Sequence, residues 1–158
     1  MDVRGADAPR VSPRRRSVLA TALLLVAVAL LLMRQALLAR HPVGIALQAA
    51  AVALMLWARW TFGRRSFHAA ANPTAGGLVT AGPYRYWRHP IYAAVLLFVW
   101  SGVLAQGTPT SAAALLLALL ATLATAVRIQ AEEQLLRATF PEYAAYAART
   151  KRLVPFVF

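Results

Sequence analysis

The chain contains no cysteine, which excludes disulfides, thiolate metal sites and cysteine nucleophiles together. Acid is scarce as well: five Asp and Glu stand against 17 Lys and Arg, giving a formal net charge of +12. Lysine is represented by Lys151 alone, so arginine carries the positive charge. No glycine run forms the G-x-G-x-x-G dinucleotide fingerprint, and a Rossmann domain is not expected. No serine sits in a nucleophile elbow. The three histidines, His41, His68 and His89, lack ligand spacing, so no metal site is assigned.

What is present is apolar. The chain has 158 residues, is 60% hydrophobic and has a mean hydropathy of +0.57, which points away from an ordinary soluble domain. The expected fold is all-α, a polytopic helical membrane protein with about four transmembrane helices and a cytoplasmic C-terminal helical segment. A basic tail over 1–16 is expected to be disordered, ahead of a single membrane domain over 17–158.

The spans are expected near 17–39, 43–60, 91–106 and 111–127, with C-terminal helices over 128–150. Ser17 to Met33 is an apolar run closed by Arg34, whose long stem can snorkel, and the run continues through Ala36 to Ala39. Arg14, Arg15 and Arg16 precede it as they would a signal peptide. The run is too long for a typical h-region and further spans follow, so an uncleaved helix is expected. The second span ends in Trp57, Arg59 and Trp60, an interfacial set. The short link from Gln106 to Thr110 implies a tight hairpin between the last two spans.

Arginine placement orients the bundle. Arg4, Arg10, Arg14, Arg15 and Arg16 fall in the tail, and Arg59, Arg64, Arg65, Arg85 and Arg88 in the second connection. Arg128, Arg137, Arg149, Lys151 and Arg152 follow the fourth span, whereas the first connection holds Arg34 and Arg40 and the third holds none. The positive-inside rule therefore puts both termini and the middle loop in the cytoplasm. Because the cations flank apolar runs, a membrane surface is a better partner for them than nucleic acid. The spans hold no acidic residue, which counts against a proton-coupled exporter.

Two cytoplasmic segments gather the polar chemistry. The first, Gly76 to Tyr92, has glycines and Pro83 suited to tight turns, then three aromatics, two arginines and His89-Pro90 at a helix entrance. Read plainly, Tyr84, Arg85 and Trp87 are an interfacial belt. The second segment runs from Arg128 through Glu132 and Glu133 to Tyr146. Arg128 and Glu132 are four apart and share a helix face, where the plain reading is a surface ion pair contributing a few tenths of a kcal/mol.

Together the two segments resemble a known family. Gly-Pro-Tyr-Arg-Tyr-Trp-Arg-His-Pro-Ile-Tyr over 82–92 resembles the R-H-P-x-Y signature of the isoprenylcysteine carboxyl methyltransferases and the related phospholipid methyltransferases. Glu132-Glu133 with Leu136, Phe140, Tyr143, Tyr146 and the closing Arg152-Leu153-Val154-Pro155 is similar to that family's C-terminal pattern. Phe140-Pro141 departs from the Phe-Gly of many relatives and leaves open the path between helix and tail. The resemblance spans roughly Gly76 to Pro155 and implies S-adenosylmethionine as cofactor. It implies that Gly76, Gly77, Leu78, Val79, Tyr84, His89, Pro90, Ile91, Tyr92 and Glu132 meet that cofactor. It makes Arg128 and Glu132 the catalytic candidates, with Arg128 also the substrate-binding residue.

A lipophilic or prenylated acceptor is expected to enter from the bilayer. A carboxylate acceptor is ionised at neutral pH and needs orientation by a cation such as Arg128, not a general base. A lipid amine needs a base, for which Glu132 and Glu133 are the candidates. Carboxyl O-methylation is the leading expectation, ahead of methylation of a phospholipid amine or lipophilic thiol. A non-catalytic four-helix membrane protein is the alternative of a different class. Arginine-rich, alanine-rich composition suggests a bacterial inner membrane.

Overall fold

The computed structural model describes residues 12–63, 77–106 and 110–153. The tail 1–11, Arg64, Arg65, His68, Gly76 and Pro155 lie outside the described residues. Along the chain run α1 (Pro13–Met33), α2 (Pro42–Phe62), a 3-10 turn (Gly82–Arg85), α3 (Pro90–Leu104), α4 (Ala112–Thr139) and α5 (Tyr143–Arg149). Helices α1, α2 and α4 are long and apolar enough to cross a membrane, and α3 is a shorter apolar helix of 15 residues. This is a helical membrane protein.

The helix starts follow from local chemistry. Pro13, Pro42 and Pro90 occupy the first turn, where a missing N–H costs no hydrogen bond. Ser12 and Ser111 cap α1 and α4 by accepting from Arg15 N at 3.4 Å and Ala114 N at 3.2 Å. Helix α1 stops at Met33, short of the expected end near 39, because Gln35 takes a left-handed φ of 54°. Ala36 N then donates to Leu31 O at 2.9 Å and Gln35 N to Leu32 O at 2.9 Å, the paired bonds of a Schellman ending. The helix also begins at Pro13, a turn before the expected start.

The apolar stretch after α1 is consequently a loop folded onto the end of α3. Ala36 and Leu37 are buried in one cluster with Val99 and Val103. Loop backbone packed in apolar surroundings needs partners for its polar groups. Two glutamines supply them. Gln48 of α2 donates to Leu37 O at 2.7 Å and Phe98 O at 3.2 Å, and accepts from Ala39 N at 3.1 Å. Gln106 donates to Ala36 O at 3.1 Å, Leu38 O at 2.9 Å and Gly102 O at 2.5 Å. Ala105 O accepts from Arg40 N and His41 N.

Helix α1 packs chiefly along α4, and α2 along α3. Small side chains permit the first pairing: Ala114, Ala118, Ala121 and Ala124 on α4, Ala20 and Ala27 on α1, all buried. The α3–α4 hairpin is looser than its short link suggests, each arm touching another helix more than its partner. Its antiparallel register is marked by Trp100 Nε1 donating to Thr122 Oγ1 at 3.0 Å. The C-terminal end of α4 and the starts of α1 and α3 thus come together, remote from the glutamine-bound loop.

Gly102 is where that loop approaches α3. A Cβ there would strike the Leu37 carbonyl, which Gln48 already holds. Gly102→Ala is expected to lower stability by roughly 1–3 kcal/mol through overpacking, read as earlier thermal unfolding in detergent.

Candidate active site

At the end where α1, α3 and α4 meet, two networks form side by side. Pro90 starts α3, so His89 stands at its N-cap position and Tyr92 follows one turn on, both facing α4. On α4, Arg128 and Glu132 are one turn apart, while Glu133 is turned about 100° from Glu132 by the helical repeat. The neighbouring glutamates therefore serve different partners.

Glu132 joins Tyr92. The Tyr92 hydroxyl donates to Glu132 Oε2 at 2.7 Å and accepts from Arg128 Nε at 2.5 Å. Arg128 also lies over the Tyr92 ring, with Cζ 5.6 Å from its centroid. Its Nη1 donates to Ser17 Oγ at 3.3 Å and to Thr21 Oγ1, both on α1. The expected i, i+4 pair of Arg128 and Glu132 is thus joined through the Tyr92 hydroxyl.

Glu133 is buried and surrounded by cations. Arg152 approaches both of its oxygens, Nε to Oε1 at 3.2 Å and Nη2 to Oε2 at 3.1 Å. Arg88 Nε donates to Oε1 at 3.1 Å, His89 Nε2 lies 3.4 Å from the same oxygen, and Arg137 Nη2 reaches Oε2 at 3.3 Å. Arg88 Nη1 also donates to Ala147 O at 2.6 Å and Thr150 O at 2.5 Å, tying in the end of α5. Backbone bonds complete the clasp: Arg88 N to Lys151 O at 2.7 Å, His89 N to Arg152 O at 3.1 Å and Lys151 N to Tyr86 O at 3.1 Å.

The path left open at Phe140-Pro141 is a short turn. Phe140 ends α4 in extended backbone, and Pro141 follows where a helix cannot continue. Helix α5 then brings Tyr146 under the 3-10 turn, where its hydroxyl donates to Tyr84 O at 2.7 Å. Burial pushes the Tyr146 phenol up to about 12, outweighing the opposing pull of Arg88 and Thr150. Burial, reinforced by the charge of Glu132, likewise holds the Tyr84 phenol above its ordinary value. Both phenols remain neutral at physiological pH. The Tyr84 ring sits 5.4 Å from that of Phe62 at the end of α2.

Most residues singled out from sequence therefore converge. Tyr84, His89, Pro90, Ile91, Tyr92, Arg128 and Glu132 share this end of the bundle, with His89 and Tyr84 buried. Gly77 has a φ of 79° and leads, through Leu78 and Val79, into the 3-10 turn. No hydrogen bond among the described residues joins these three to the Tyr92 group. Sequence reasoning missed Arg88 and Arg152 as partners of Glu133, and Ser17 and Thr21 as partners of Arg128. The second pair had a signal: two hydroxyls four apart on an otherwise apolar helix.

The family model described as phospholipid methyltransferase matches residues 39–143, about two thirds of the chain. The chain belongs to the phospholipid methyltransferase family, which includes isoprenylcysteine carboxyl methyltransferase-like members. It is similar to the cobalt-zinc-cadmium resistance protein CzcN of Cupriavidus metallidurans, 41% identical over 80 residues, 49% of this chain and 35% of that protein. It is similar in the same degree to the nickel-cobalt-cadmium resistance protein NccN of Alcaligenes xylosoxydans xylosoxydans, 41% identical over 80 residues, 49% of this chain and 36% of that protein. The match thus spans about a third of the length of these curated relatives. No solved structure gives a significant match.

Removing one side of a buried charge cluster leaves the other uncompensated. Glu133→Ala is expected to cost about 3–5 kcal/mol, measured by denaturant unfolding in detergent. Arg137→Ala, which removes an exposed partner of the same carboxylate, is expected to stay within about 1 kcal/mol of the wild type.

Proposed function

We propose that this protein is an S-adenosylmethionine-dependent membrane methyltransferase acting on a lipophilic acceptor, with O-methylation of a carboxylate as its reaction. The observation that carries this reading is the Tyr92 hydroxyl held between Arg128 and Glu132. It sets a cation and a carboxylate side by side at one end of an apolar bundle, where a polar cofactor and a lipid-borne acceptor can meet.

The residues fit the cofactor. Glu132 is half-buried and has Oε2 bound by Tyr92, while Oε1 has no hydrogen-bond partner among the described residues. That leaves a carboxylate oxygen to face a sulfonium, with the Tyr92 ring as an additional π surface. Gly77, Leu78, Val79 and Tyr84, ahead of α3, are assigned to the rest of the molecule, as are Pro90 and Ile91. Bound there, S-adenosylmethionine supplies an electrophilic methyl group.

The chain's own residues do the remainder. Arg128 orients the acceptor carboxylate, which is already ionised at neutral pH and needs no proton removed. Tyr92 keeps Arg128 and Glu132 apart and in register. Glu133 is not available as a base, because Arg88, His89, Arg137 and Arg152 occupy both its oxygens. His89 acts through Glu133 as a positioning residue.

The family's description favours a second reading, N-methylation of a phospholipid amine. In that case Glu132 is the carboxylate left to serve as base. The density of arginine at this end favours the cytoplasmic face of a bacterial inner membrane for either reaction.

Labelled S-adenosylmethionine should bind the detergent-purified chain saturably, and Glu132→Gln should weaken that binding about tenfold or more. Farnesylated cysteine and phosphatidylethanolamine offered in parallel distinguish the two acceptors. A folded wild type that binds no cofactor defeats the enzyme reading. Arg128→Ala methylating the carboxylate acceptor at full rate removes the role given to that arginine.

A further inference from the structure

Helix α1 reaches the candidate site with two hydroxyls. Ser17 is fully buried, although its neighbours Val18 and Leu19 are exposed on the outer face. Thr21 lies one turn on and its hydroxyl donates to Ser17 O at 2.8 Å. That bond spends the Thr21 proton on its own helix, so its lone pairs face the guanidinium. Arg128 Nη1 donates to both hydroxyls, and Nε donates to Tyr92 from the other side. Two edges of one planar cation are thus fixed by oxygens from α1 and α3.

Such holding has a chemical consequence. An arginine side chain has wide rotamer freedom, part of which is lost each time it grips a ligand. A guanidinium fixed beforehand by neutral hydroxyls keeps its charge and meets an oxyanion without that loss. Arg14 and Arg15 are exposed one turn before Ser17 and add positive potential at the same end. Exposed Val18, Leu25 and Leu32 flank the Thr21 side of α1 and form an apolar strip suited to a hydrocarbon chain.

We propose that Ser17 and Thr21 are positioning residues for the acceptor: they hold Arg128 so that it grips the oxyanion of a lipid-like acceptor lying against α1. The inference rests on the methyltransferase reading and adds α1 to the acceptor side of the site. The oxyanion is a carboxylate or a lipid phosphate; the chemistry at Arg128 is the same.

The test uses the full chain in nanodiscs, comparing wild type with Ser17→Ala/Thr21→Val and Thr21→Ser. Acceptors are farnesylated cysteine for the carboxylate, phosphatidylethanolamine for the phosphate, and farnesylthiol as a neutral head. The double variant is expected to raise KM about tenfold for the oxyanion acceptor that the wild type uses, with S-adenosylmethionine affinity within about twofold. Thr21→Ser keeps the hydroxyl and should restore KM. If the double variant does not fold, Thr21→Val alone is read in the same way, with a rise of about threefold.

An unchanged KM in a variant that binds cofactor normally overturns the inference. So does an equal rise for farnesylthiol, or a parallel loss of cofactor affinity, either of which marks a purely structural role. A wild type without cofactor binding instead defeats the methyltransferase reading itself, so the two failures are told apart.

Discussion

The Glu133 carboxylate is the constraint on which this end of the molecule depends. A buried carboxylate without partners costs several kcal/mol, so the chain around it has to bring cations to it. Those cations come from separate segments: Arg88 ahead of α3, Arg137 on α4, and Arg152 beyond α5, with the His89 ring beside them. Satisfying one charge therefore folds the chain after α4 back against the entrance of α3. The parallel bridge of Trp87 with Lys151 and the bonds from Arg88 N and His89 N follow from that return.

The clasp has a second effect through α3. With His89 fixed at Glu133 and Pro90 starting the helix, Tyr92 has little choice of direction. It falls one turn along the same face, opposite Glu132, and its hydroxyl takes the position between that carboxylate and Arg128. The two adjacent glutamates thus divide the work. Glu133 secures the backbone around the site, and Glu132 remains facing the space where ligands are proposed to bind.

Much of this was legible in the sequence, and the remainder was hidden for a physical reason. Apolar runs mark the helices, because that signal is local. Hydropathy extends the first span past Met33, because Leu37 and Leu38 look alike whether they face lipid in a helix or pack in a loop. Only the left-handed Gln35 and the reach of Gln48 decide between these, and neither is visible in hydropathy. The pattern singled out Tyr92, Arg128 and Glu132, which the structure brings into contact, but it does not show the division between Glu132 and Glu133. It is set by which neighbour lies a third of a turn away, and Arg152 arrives there only through the turn at Phe140-Pro141. Ser17 and Thr21 share a helix face by their spacing, but spacing alone does not say that Arg128 lies opposite them.

Why should the polar residues collect at a helix end and not in the middle of the bundle? The proposed reaction would bring a charged, water-soluble cofactor and a lipid-borne acceptor to one point. Mid-bundle, each charged group would need a buried partner, and the cofactor would have no aqueous route. The opposite end is already closed by Gln48, Gln106 and the loop they bind, with Gly102 pressed against Leu37. The alanine faces of α1 and α4 pack directly against each other. What remains is the end where α4 outruns the apolar stretch and continues as Arg128, Glu132 and Glu133. There α1 supplies hydroxyls, α3 supplies Tyr92, and the tail supplies Arg152, so the extension of one helix beyond its neighbours gives the site its place.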